Sequence, residues 1–491
     1  MQTITVLLPY SLHPAFRKTL EPLIASPLVH SVLVAHDGSY AAGDPKCRGL
    51  RVPSLTSGRL VNEAVQIATG DYLMCITQSQ EVSFGQAALE RFAAVAAATG
   101  AGMVYSDYFE VKQGVRTGHP LIDYQLGAVR DIFDFGAVQF YATGAVKAAL
   151  KKHGEVPAVE RAGLYDLRLK VSVDRSIVHL PELLYTKVES DVRKSGEKLF
   201  DYVDPRNKAV QKEMEEVVTQ HLKHIGAYLA PSFKPVPKSD ESFPVEASVV
   251  IPVRNRERTV GDAVRSVLRQ KAKFDFNVIV VDNHSTDGTT KALGDLAAQD
   301  KRVQHLIPQR EDLWIGGCWN EAVLSPHCGR YAVQLDSDDI YANEQTLQKV
   351  VDTFRSGDYA MVIGSYTLVD MGLKELPPGL IDHREWTPEN GRNNALRING
   401  LGAPRAFLTS LLRQVLLPNV SYGEDYAVAL RLSREYQIGR IYDSIYLCRR
   451  WEGNTDAALP IEKVNGNDLY KDRLRTIEIQ ARQQLNKAGR L

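Results

Sequence analysis

Acidic side chains cluster directly after an apolar segment that has the length of a β-strand. The segment AVQLDSDDIY places Asp336, Ser337, Asp338 and Asp339 at its end. Carboxylates at the carboxyl end of a parallel strand lie where α/β folds bind ligands. Mg²⁺ and Mn²⁺ favour one or two carboxylates together with phosphate oxygens. The motif therefore indicates a cation site beside a phosphorylated ligand, and a polar turn with an Asx cap is the alternative.

The ends of two other apolar segments could bind a nucleoside. A base needs a flat wall and an amide or carboxylate that reads its polar edge. In VVIPVRNR and VIVVDNHSTDGT, the side chains of Asp282 and Asn283 and the backbone near Val253 could supply these groups. The alternative is a pair of ordinary strand-to-helix turns, with Ser285 or Asp287 as the helix cap. The candidate nucleotide-binding residues are Pro252, Val253, Arg254, Asp282 and Asn283.

A pair of acidic residues begins a predicted helix further along the chain. In SYGEDYAVALRLS, Glu424 and Asp425 follow Gly423. A carboxylate that faces an acceptor hydroxyl, opposite a leaving phosphate, can act as a general base. Glu424 and Asp425 are therefore candidate catalytic residues, and an acidic first turn that the helix dipole favours is the alternative.

The segment IYLCRRWEGN combines two arginines with a tryptophan. Arg449 and Arg450 could neutralise a departing diphosphate, because guanidinium groups make bidentate contacts with phosphate. Trp451 offers a ring on which a sugar or a base could stack. An exposed basic turn is the alternative interpretation of the same residues.

In this order, the motifs resemble those of the family 2 glycosyltransferases of the GT-A fold. The resemblance covers residues 245–455. It implies that Asp282 and Asn283 contact the base and the ribose, and that Asp336 faces the nucleotide sugar. It also implies that Asp338, with Asp336 beside it, holds Mn²⁺ or Mg²⁺, and that Asp425 is the catalytic base. Arg449, Arg450 and Trp451 fall in the diphosphate-contacting segment of the family.

The same resemblance implies a one-step reaction that inverts the anomeric carbon. Asp425 would take the proton of an acceptor hydroxyl, and the oxygen would attack opposite the leaving nucleoside diphosphate. The metal on Asp338 and one of the two arginines would stabilise the growing charge. The donor is a UDP-sugar by default. The acceptor is a saccharide or a lipid-linked molecule in surface polysaccharide or glycolipid synthesis.

The sequence departs from the family pattern at three places. Asn283 stands where many relatives have a second aspartate, and no histidine lies near Trp451 to serve as a third metal ligand. The Q-x-x-R-W pattern of processive enzymes is not matched cleanly, and no membrane spans follow it. A processive polymer synthase is therefore not expected.

The elements that must position these residues occur twice along the chain. ITVLLPY parallels ASVVIPVRN, and Asn62-Glu63-Ala64 aligns with Asn320-Glu321-Ala322. Strands that alternate with helices predict a mostly parallel sheet with helices on both faces. We therefore predict an α/β fold of two tandem GT-A domains, which are Rossmann-like. A helix from about 204 to 224 and a Pro-rich linker would end the first domain at 237, and residues 238–491, including a C-terminal helix, would form the catalytic domain.

The first copy lacks the acidic motif. The D-S-D-D residues align with Thr77, Gln78, Ser79 and Gln80, and Asp425 aligns with Asp166. Asp37-Gly38-Ser39 keeps a base-contacting pattern. We predict a degenerate domain that positions the acceptor, assembles a dimer or supports its partner. A metal-independent second transferase is the alternative.

Composition narrows the function classes further. The 59 basic and 59 acidic residues give no net charge, which argues against a nucleic-acid partner. The five cysteines are scattered without a C-x-x-C pair, which argues against a zinc site or a disulfide framework. No signal peptide and no apolar run of about 20 residues is present. We expect a cytoplasmic protein, and peripheral contact with the inner face of a membrane and a homodimer stay open.

Two other function classes remain as alternatives. A sugar nucleotidyltransferase would carry a Gly-rich phosphate loop after its first strand, whereas IPVRNRERTV has no glycine before Gly261. A non-catalytic saccharide- or nucleotide-binding scaffold would not need the intact set of Asp336, Asp338 and Asp425.

Overall fold

The structure is a computed structural model that describes residues 2–38, 40–52, 54, 56–188, 208–451, 454 and 459–489. Within them the chain divides into two compact units. The first contains the described residues up to 188 with Lys208–Tyr228 and Pro460–Gln483. The second contains the described residues of Leu229–Leu459 and those from Gln484 onward. This grouping differs from the sequence-based division, which assigned the C-terminal helix to the second domain. Ser39 and positions 204–207 of the expected linker helix lie outside the described residues.

One sheet with helices around it forms the first unit. Its described strands are β1 (Ile4–Pro9), β2 (Val29–His36), β3 (Cys47–Arg51), β4 (Tyr72–Ile76), β5 (Val82–Phe84), β6 (Met103–Lys112), β7 (Val115–His119), β8 (Val138–Ala142) and β9 (Ile177–Val188). Its described helices in the first part of the chain are α1 (Ala15–Ala25), α2 (Gly58–Ile67), α3 (Ala88–Thr99), α4 (Thr143–His153), α5 (Gly163–Asp174) and α6 (Lys208–His224). The strand order is β3-β2-β1-β4-β8-β6-β9-β5, and β7 pairs with β6.

The second unit repeats this plan. Its described strands are β10 (Ala247–Val253), β11 (Phe276–Asp282), β12 (Val303–Leu306), β13 (Tyr331–Gln334), β14 (Ile340–Tyr341), β15 (Tyr359–Val369), β16 (Glu375–Ile381), β17 (Arg405–Leu408) and β18 (Gln437–Arg449). Its described helices are α7 (Val260–Leu268), α8 (Thr289–Gln299), α9 (Ile315–Leu324), α10 (Thr346–Ser356), α11 (Gly391–Asn394), α12 (Thr409–Val415) and α13 (Glu424–Ser433). The last helix of the chain, α14 (Ile461–Lys487), lies mostly in the first unit.

The two sheets share strand order and strand direction. The order in the second unit is β12-β11-β10-β13-β17-β15-β18-β14, with β16 on β15. β10 runs parallel to β11 and β13, as β1 does to β2 and β4. β17 and β8 enter antiparallel to β13 and β4, so each sheet is parallel on one side and mixed on the other. The predicted α/β fold with tandem GT-A units is confirmed.

The repeat extends to individual hydrogen bonds. In α2, the Asn62 amide donates to the Val156 carbonyl at 2.8 Å and accepts from its N–H at 3.0 Å. In α9, Asn320 makes the same two bonds with Leu417, at 2.8 and 2.9 Å. An aligned asparagine thus fixes the same loop to the same helix in both copies.

A glycine at the start of α9 sets the position of the acidic helix α13. A Cβ on Gly316 would collide with the Pro418 carbonyl and would lie 3.2 Å from the Glu424 Cβ. Gly58 at the start of α2 makes the equivalent close approach to the Pro157 carbonyl. Only glycine allows the chain before Glu424 to pack this closely on α9.

The core of the second unit lies between its sheet and the flanking helices. Every residue of β11 is buried, and Val260, Val264 and Val267 of α7 pack on the sheet. Strands that are covered on both faces have continuous apolar sequences, which explains the VVIPV and VIVVD segments. These strands form a rigid base for the polar turns at their carboxyl ends. No helix within the described ranges has the length and apolar character needed to span a bilayer.

Candidate active site

The carboxyl ends of β10 and β13 meet at an open cavity of about 390 Å³ in the second unit. The two strands are neighbours, and the strand order reverses between them. Ligands of open α/β sheets bind at such a switch point. The predicted site residues that line the cavity are Pro252, Val253, Arg254, Asn283, Asp336, Asp338, Glu424, Asp425 and Arg450.

Asp336 follows β13 and opens onto this cavity. The Gln334 amide donates to its Oδ1 at 2.9 Å. Loss of hydration raises the pKa of Asp336. The positive charge of Arg405 opposes this shift, and the negative charges of Asp338 and Asp425 add to it. A positive group bound in the cavity would relieve the repulsion among these carboxylates.

Asp338 lies on the same turn and is held by the segment that follows β18. Its Oδ2 accepts from Trp451 Nε1 at 3.3 Å and from Asn454 Nδ2 at 3.3 Å. The Asn454 Oδ1 accepts the backbone N–H of Trp451 at 2.6 Å. Trp451 is not part of the cavity lining. In this structure its indole supports the Asp338 carboxylate, which differs from the stacking surface suggested by the sequence.

The acidic pair at the start of α13 lines the same cavity. Glu424 is 9% exposed, and burial, with the charge of Asp425 adding to it, raises the pKa of Glu424 to about 8. Within the described residues, Glu424 Oε2 has no hydrogen-bond partner. The Asp425 side chain is 28% exposed, and its Oδ2 lies 2.9 Å from Arg405 Nη1. Two adjacent acids thus have different environments, and the more exposed one has a cationic partner.

Arg405 begins β17 and lines the cavity, although it was not among the residues predicted from the sequence. Its Nη1 donates to the Gly402 carbonyl at 3.0 Å and also contacts Asp425. Burial opposes the charged form, but the charges of Asp425, Asp336 and Glu424 raise the pKa of Arg405. No motif surrounds Arg405 in the sequence, so only the pairing of β17 with β13 could have indicated its place.

Asn283 and Asp282 lie differently, although they are adjacent. Asn283 lines the cavity, and its Nδ2 donates to the Leu313 carbonyl at 2.8 Å. Asp282 is fully buried and accepts from the Ser285 N–H at 3.1 Å and from Thr290 Oγ1 at 2.6 Å. Asp282 is therefore enclosed in the strand-to-helix turn and does not line the cavity.

The capping interpretation of this turn applies to Asp287. Its Oδ1 accepts the backbone N–H of Thr289, the first residue of α8, at 2.9 Å. Ser285 Oγ instead accepts the backbone N–H of Asn255 at 3.0 Å and joins this turn to the one after β10. The two turns are thus fixed to each other beside the cavity.

The two arginines after β18 separate in the structure. Arg450 lines the cavity. Arg449 is 3% exposed and lies outside the cavity lining. Its Nη1 donates to Asp262 at 3.1 Å, and its Nε donates to the Asp338 carbonyl. Of the two predicted arginines, Arg450 therefore lines the cavity, and Arg449 supports the acidic turn.

The residues present fit a divalent cation that is shared with a ligand. Within the part of the chain that the structure describes, no cluster of three or more His, Cys, Asp or Glu side chains could hold a metal ion by itself. Asp336 and Asp338 do line one cavity. Mg²⁺ commonly takes one or two carboxylates and completes its shell with water and substrate phosphates. The donor set therefore suits Mg²⁺ or Mn²⁺ only together with such a substrate.

The first unit has lost the corresponding charges. Thr77, which aligns with Asp336, donates through Oγ1 to the Ala137 carbonyl at 3.4 Å. Asp166, which aligns with Asp425, lies 2.6 Å from Lys170 Nζ, and both side chains are buried. Lys170 follows Asp166 by one helical turn, where the second unit has Ala429 after Asp425. The acid of the first unit is thus neutralised by an internal ion pair.

A known protein family matches part of the second unit. Residues 248–416 match the family described as Glycosyl transferase family 2. The chain is 32% identical over 130 residues to glycosyltransferase AglD of Haloferax volcanii, which covers 26% of this chain and 20% of AglD. It is 26% identical over 189 residues to the putative teichuronic acid biosynthesis glycosyltransferase TuaG of Bacillus subtilis, which covers 38% of this chain and 72% of TuaG.

A third relative is UDP-Glc:alpha-D-GlcNAc-diphosphoundecaprenol beta-1,3-glucosyltransferase WfgD of Escherichia coli. It is 26% identical over 212 residues, which is 42% of this chain and 76% of WfgD. Among solved structures, TarS of S. aureus with UDP-GlcNAc covers 48% of this chain and 72% of its own, at 18% identity and a TM-score of 0.37. A likeness at that score adds no weight to the assignment. Residues 248–416 therefore resemble a glycosyl transferase family 2 domain, and they lie in the second of the two tandem units.

Proposed function

We propose that the second unit is a metal-dependent, inverting glycosyltransferase that moves a sugar from a nucleoside-diphosphate donor to an acceptor hydroxyl. One observation carries this proposal. One cavity is lined by the candidate metal ligands Asp336 and Asp338 and by the candidate base Asp425, which is far from them in sequence. An inverting transfer needs the base and the leaving diphosphate on opposite sides of one sugar.

Asp425 is the candidate base because its carboxyl group lines the cavity and has a cation beside it. It is partly exposed, and Arg405 lies 2.9 Å away. A neighbouring cation favours the ionised form of a carboxyl group. Asp425 would accept the proton of the acceptor hydroxyl while the oxygen attacks the anomeric carbon and the bond to the diphosphate breaks. Burial raises the pKa of Glu424 and so disfavours its ionised form, which makes it the weaker candidate for the base.

Arg450 and Arg254 would bind the anionic donor. Both line the cavity, and guanidinium groups suit phosphate oxygens. A divalent cation held by Asp338, with Asp336 beside it, would supply Lewis-acid stabilisation of the diphosphate when bound. Asn283 would contact the nucleoside, because it lines the cavity at the end of β11. Asp282 would act indirectly, through the turn that it organises.

We infer a UDP-sugar donor and a saccharide or lipid-linked acceptor in surface polysaccharide or glycolipid synthesis. WfgD is named for UDP-Glc and for a GlcNAc-diphosphoundecaprenol, and TuaG is named for teichuronic acid biosynthesis. The first unit would position the acceptor or support an assembly, because its aligned acid is neutralised by Lys170. Cytoplasmic location, peripheral membrane contact and a homodimer stay predictions.

A donor panel tests this function. The full chain is incubated with Mn²⁺ and a set of nucleotide sugars, and free nucleoside diphosphate is measured with and without EDTA. Metal-dependent release of nucleoside diphosphate with one donor is the expected result. Release of pyrophosphate would instead identify a sugar nucleotidyltransferase. No release and no donor-induced thermal shift across the panel would favour a non-catalytic scaffold.

A further inference from the structure

We propose that Asp339 and Tyr446 are positioning residues that hold the acidic turn, residues 336–339, in the orientation that metal and donor binding require. The inference rests on the proposed function of that turn. It assigns to the last acid of D-S-D-D a role that is distinct from ligand binding. It also assigns a role to Tyr446, which lies in the IYLCRRWEGN segment but was not among its predicted site residues.

Asp339 is occupied by contacts to β18. It is 4% exposed, its Oδ2 accepts from Tyr446 Oη at 2.7 Å, and its Oδ1 accepts the backbone N–H of Arg449 at 2.7 Å. Both oxygens therefore face protein donors, and the carboxylate ties the turn to the end of β18.

The Tyr446 hydroxyl joins the first and last residues of the turn. It donates to Asp339, and it accepts the backbone N–H of Asp336 at 3.1 Å. A hydroxyl has one donor and two acceptor sites, so one group can serve both residues. Tyr446 is 1% exposed, and its ring is therefore fixed by the core. The position of the turn is thus set by a rigid side chain on β18.

Arg449 provides a second attachment between the same two segments. Its Nε donates to the carbonyl of Asp338. The turn is thus bound at the Asp336 N–H, the Asp338 carbonyl and the Asp339 carboxylate. None of these bonds uses the side chains of Asp336 or Asp338. Both of those carboxylates line the cavity, and the backbone beneath them is held by β18.

The first unit provides a natural comparison. Tyr185 pairs with Tyr108 across β9 and β6 as Tyr446 pairs with Tyr366 across β18 and β15. Tyr185 Oη accepts the Ala137 N–H at 2.8 Å, and Gln80 aligns with Asp339. The tyrosine is present in both units, but the acid that connects it to the turn is present only in the second. Tyr185→Phe is therefore a matched control.

The test compares Tyr446→Phe with Tyr185→Phe in the full chain. Amide hydrogen exchange is followed in peptides that contain residues 335–340, and Mn²⁺ affinity is measured by electron paramagnetic resonance in the presence of UDP. Loss of a group that orients a metal ligand typically weakens affinity about 10- to 100-fold. We expect that loss and faster exchange of these peptides in Tyr446→Phe, and neither change in Tyr185→Phe.

The proposal for Tyr446 would be overturned if Tyr446→Phe showed the exchange rate of the wild-type protein in these peptides, or its Mn²⁺ affinity. Should Tyr446→Phe not fold, Asp339→Asn removes one acceptor of the same network and is expected to change both readouts in the same direction. If the wild-type protein did not bind Mn²⁺, the proposed metal-dependent function would be wrong. Faster exchange in Tyr446→Phe would still support the role of Tyr446 in positioning the turn.

Discussion

Arg405 Nη1 and Asp425 Oδ2 lie 2.9 Å apart in the wall of the candidate active site. The pair connects β17 to the start of α13. The charge of Asp336 also acts on the Arg405 guanidinium. Arg405 is thus a cation shared by Asp336 and by Asp425, the proposed base.

This pair leads to a prediction for Arg405. In Arg405→Leu, Asp425 and Asp336 lose their cation, and kcat/KM should fall about 10²-fold, as for loss of one preorganised electrostatic group. Arg405→Lys keeps the charge but not the planar fork, so its loss should be smaller. Steady-state release of nucleoside diphosphate measures both. Wild-type kcat/KM in Arg405→Leu would show that the ion pair has no part in the reaction.

Asp338 and Asp425 should fail at different steps. Asp338→Asn removes a metal-type carboxylate and should abolish Mn²⁺-dependent binding of UDP in calorimetry. Asp425→Asn should retain that binding and lose transfer about 10²- to 10⁴-fold, the usual contribution of general base catalysis. Ser79→Ala in the first unit is the control and should leave both measurements unchanged. Transfer at the wild-type rate by Asp425→Asn would show that another group is the base.

The sequence predicted the residues that follow strands better than those within later strands. Asp336, Asp338, Glu424 and Asp425 each follow or begin a recognisable element, and the cavity includes them all. Arg405 and Gln334 could not be found this way, because their contact depends on β17 entering antiparallel beside β13. That insertion joins segments about 70 residues apart and has no local signal.

Two further differences between the prediction and the structure have their own physical reasons. Adjacent residues at a strand end point to opposite faces, so the pair Arg449 and Arg450 could not both face the cavity, and the motif did not indicate which one does. The C-terminal helix α14 packs through charged groups, including the pair of Arg130 Nε and Asp472 Oδ1 at 3.2 Å. A helix with a polar contact face has no apolar stripe, so its packing partner could not be predicted from the sequence.

Glu424 predicts a pH dependence of stability. Its pKa of about 8 in the folded chain lies above the usual 4.5, so the folded state keeps a proton that the unfolded state releases. The resulting stabilisation is complete below about pH 4.5 and is lost as pH rises through about 8. In Glu424→Gln this dependence should be reduced, and the unfolding midpoint at pH 8 should rise by about 2–4 °C.

Calorimetric scans at several pH values measure the effect of Glu424→Gln. Because glutamine resembles the protonated acid, release of nucleoside diphosphate at pH 7 should stay near the wild-type rate. An unchanged slope of midpoint against pH between 5 and 8 would show that Glu424 is ionised in the folded chain. A large loss of turnover at pH 7 would show that its carboxyl group has a chemical role.

The buried ion pair of the first unit should be structural. Lys170 Nζ lies 2.6 Å from Asp166, with both side chains less than a tenth exposed. Lys170→Met leaves the Asp166 charge buried without its partner, which typically costs about 3–5 kcal/mol. Asp166→Asn combined with Lys170→Met removes both charges and should recover most of that loss. Urea unfolding measures the stabilities, and the rate per folded molecule should stay at the wild-type value in all variants. A loss of transfer in the stable double variant would show that Asp166 has kept a part in the reaction.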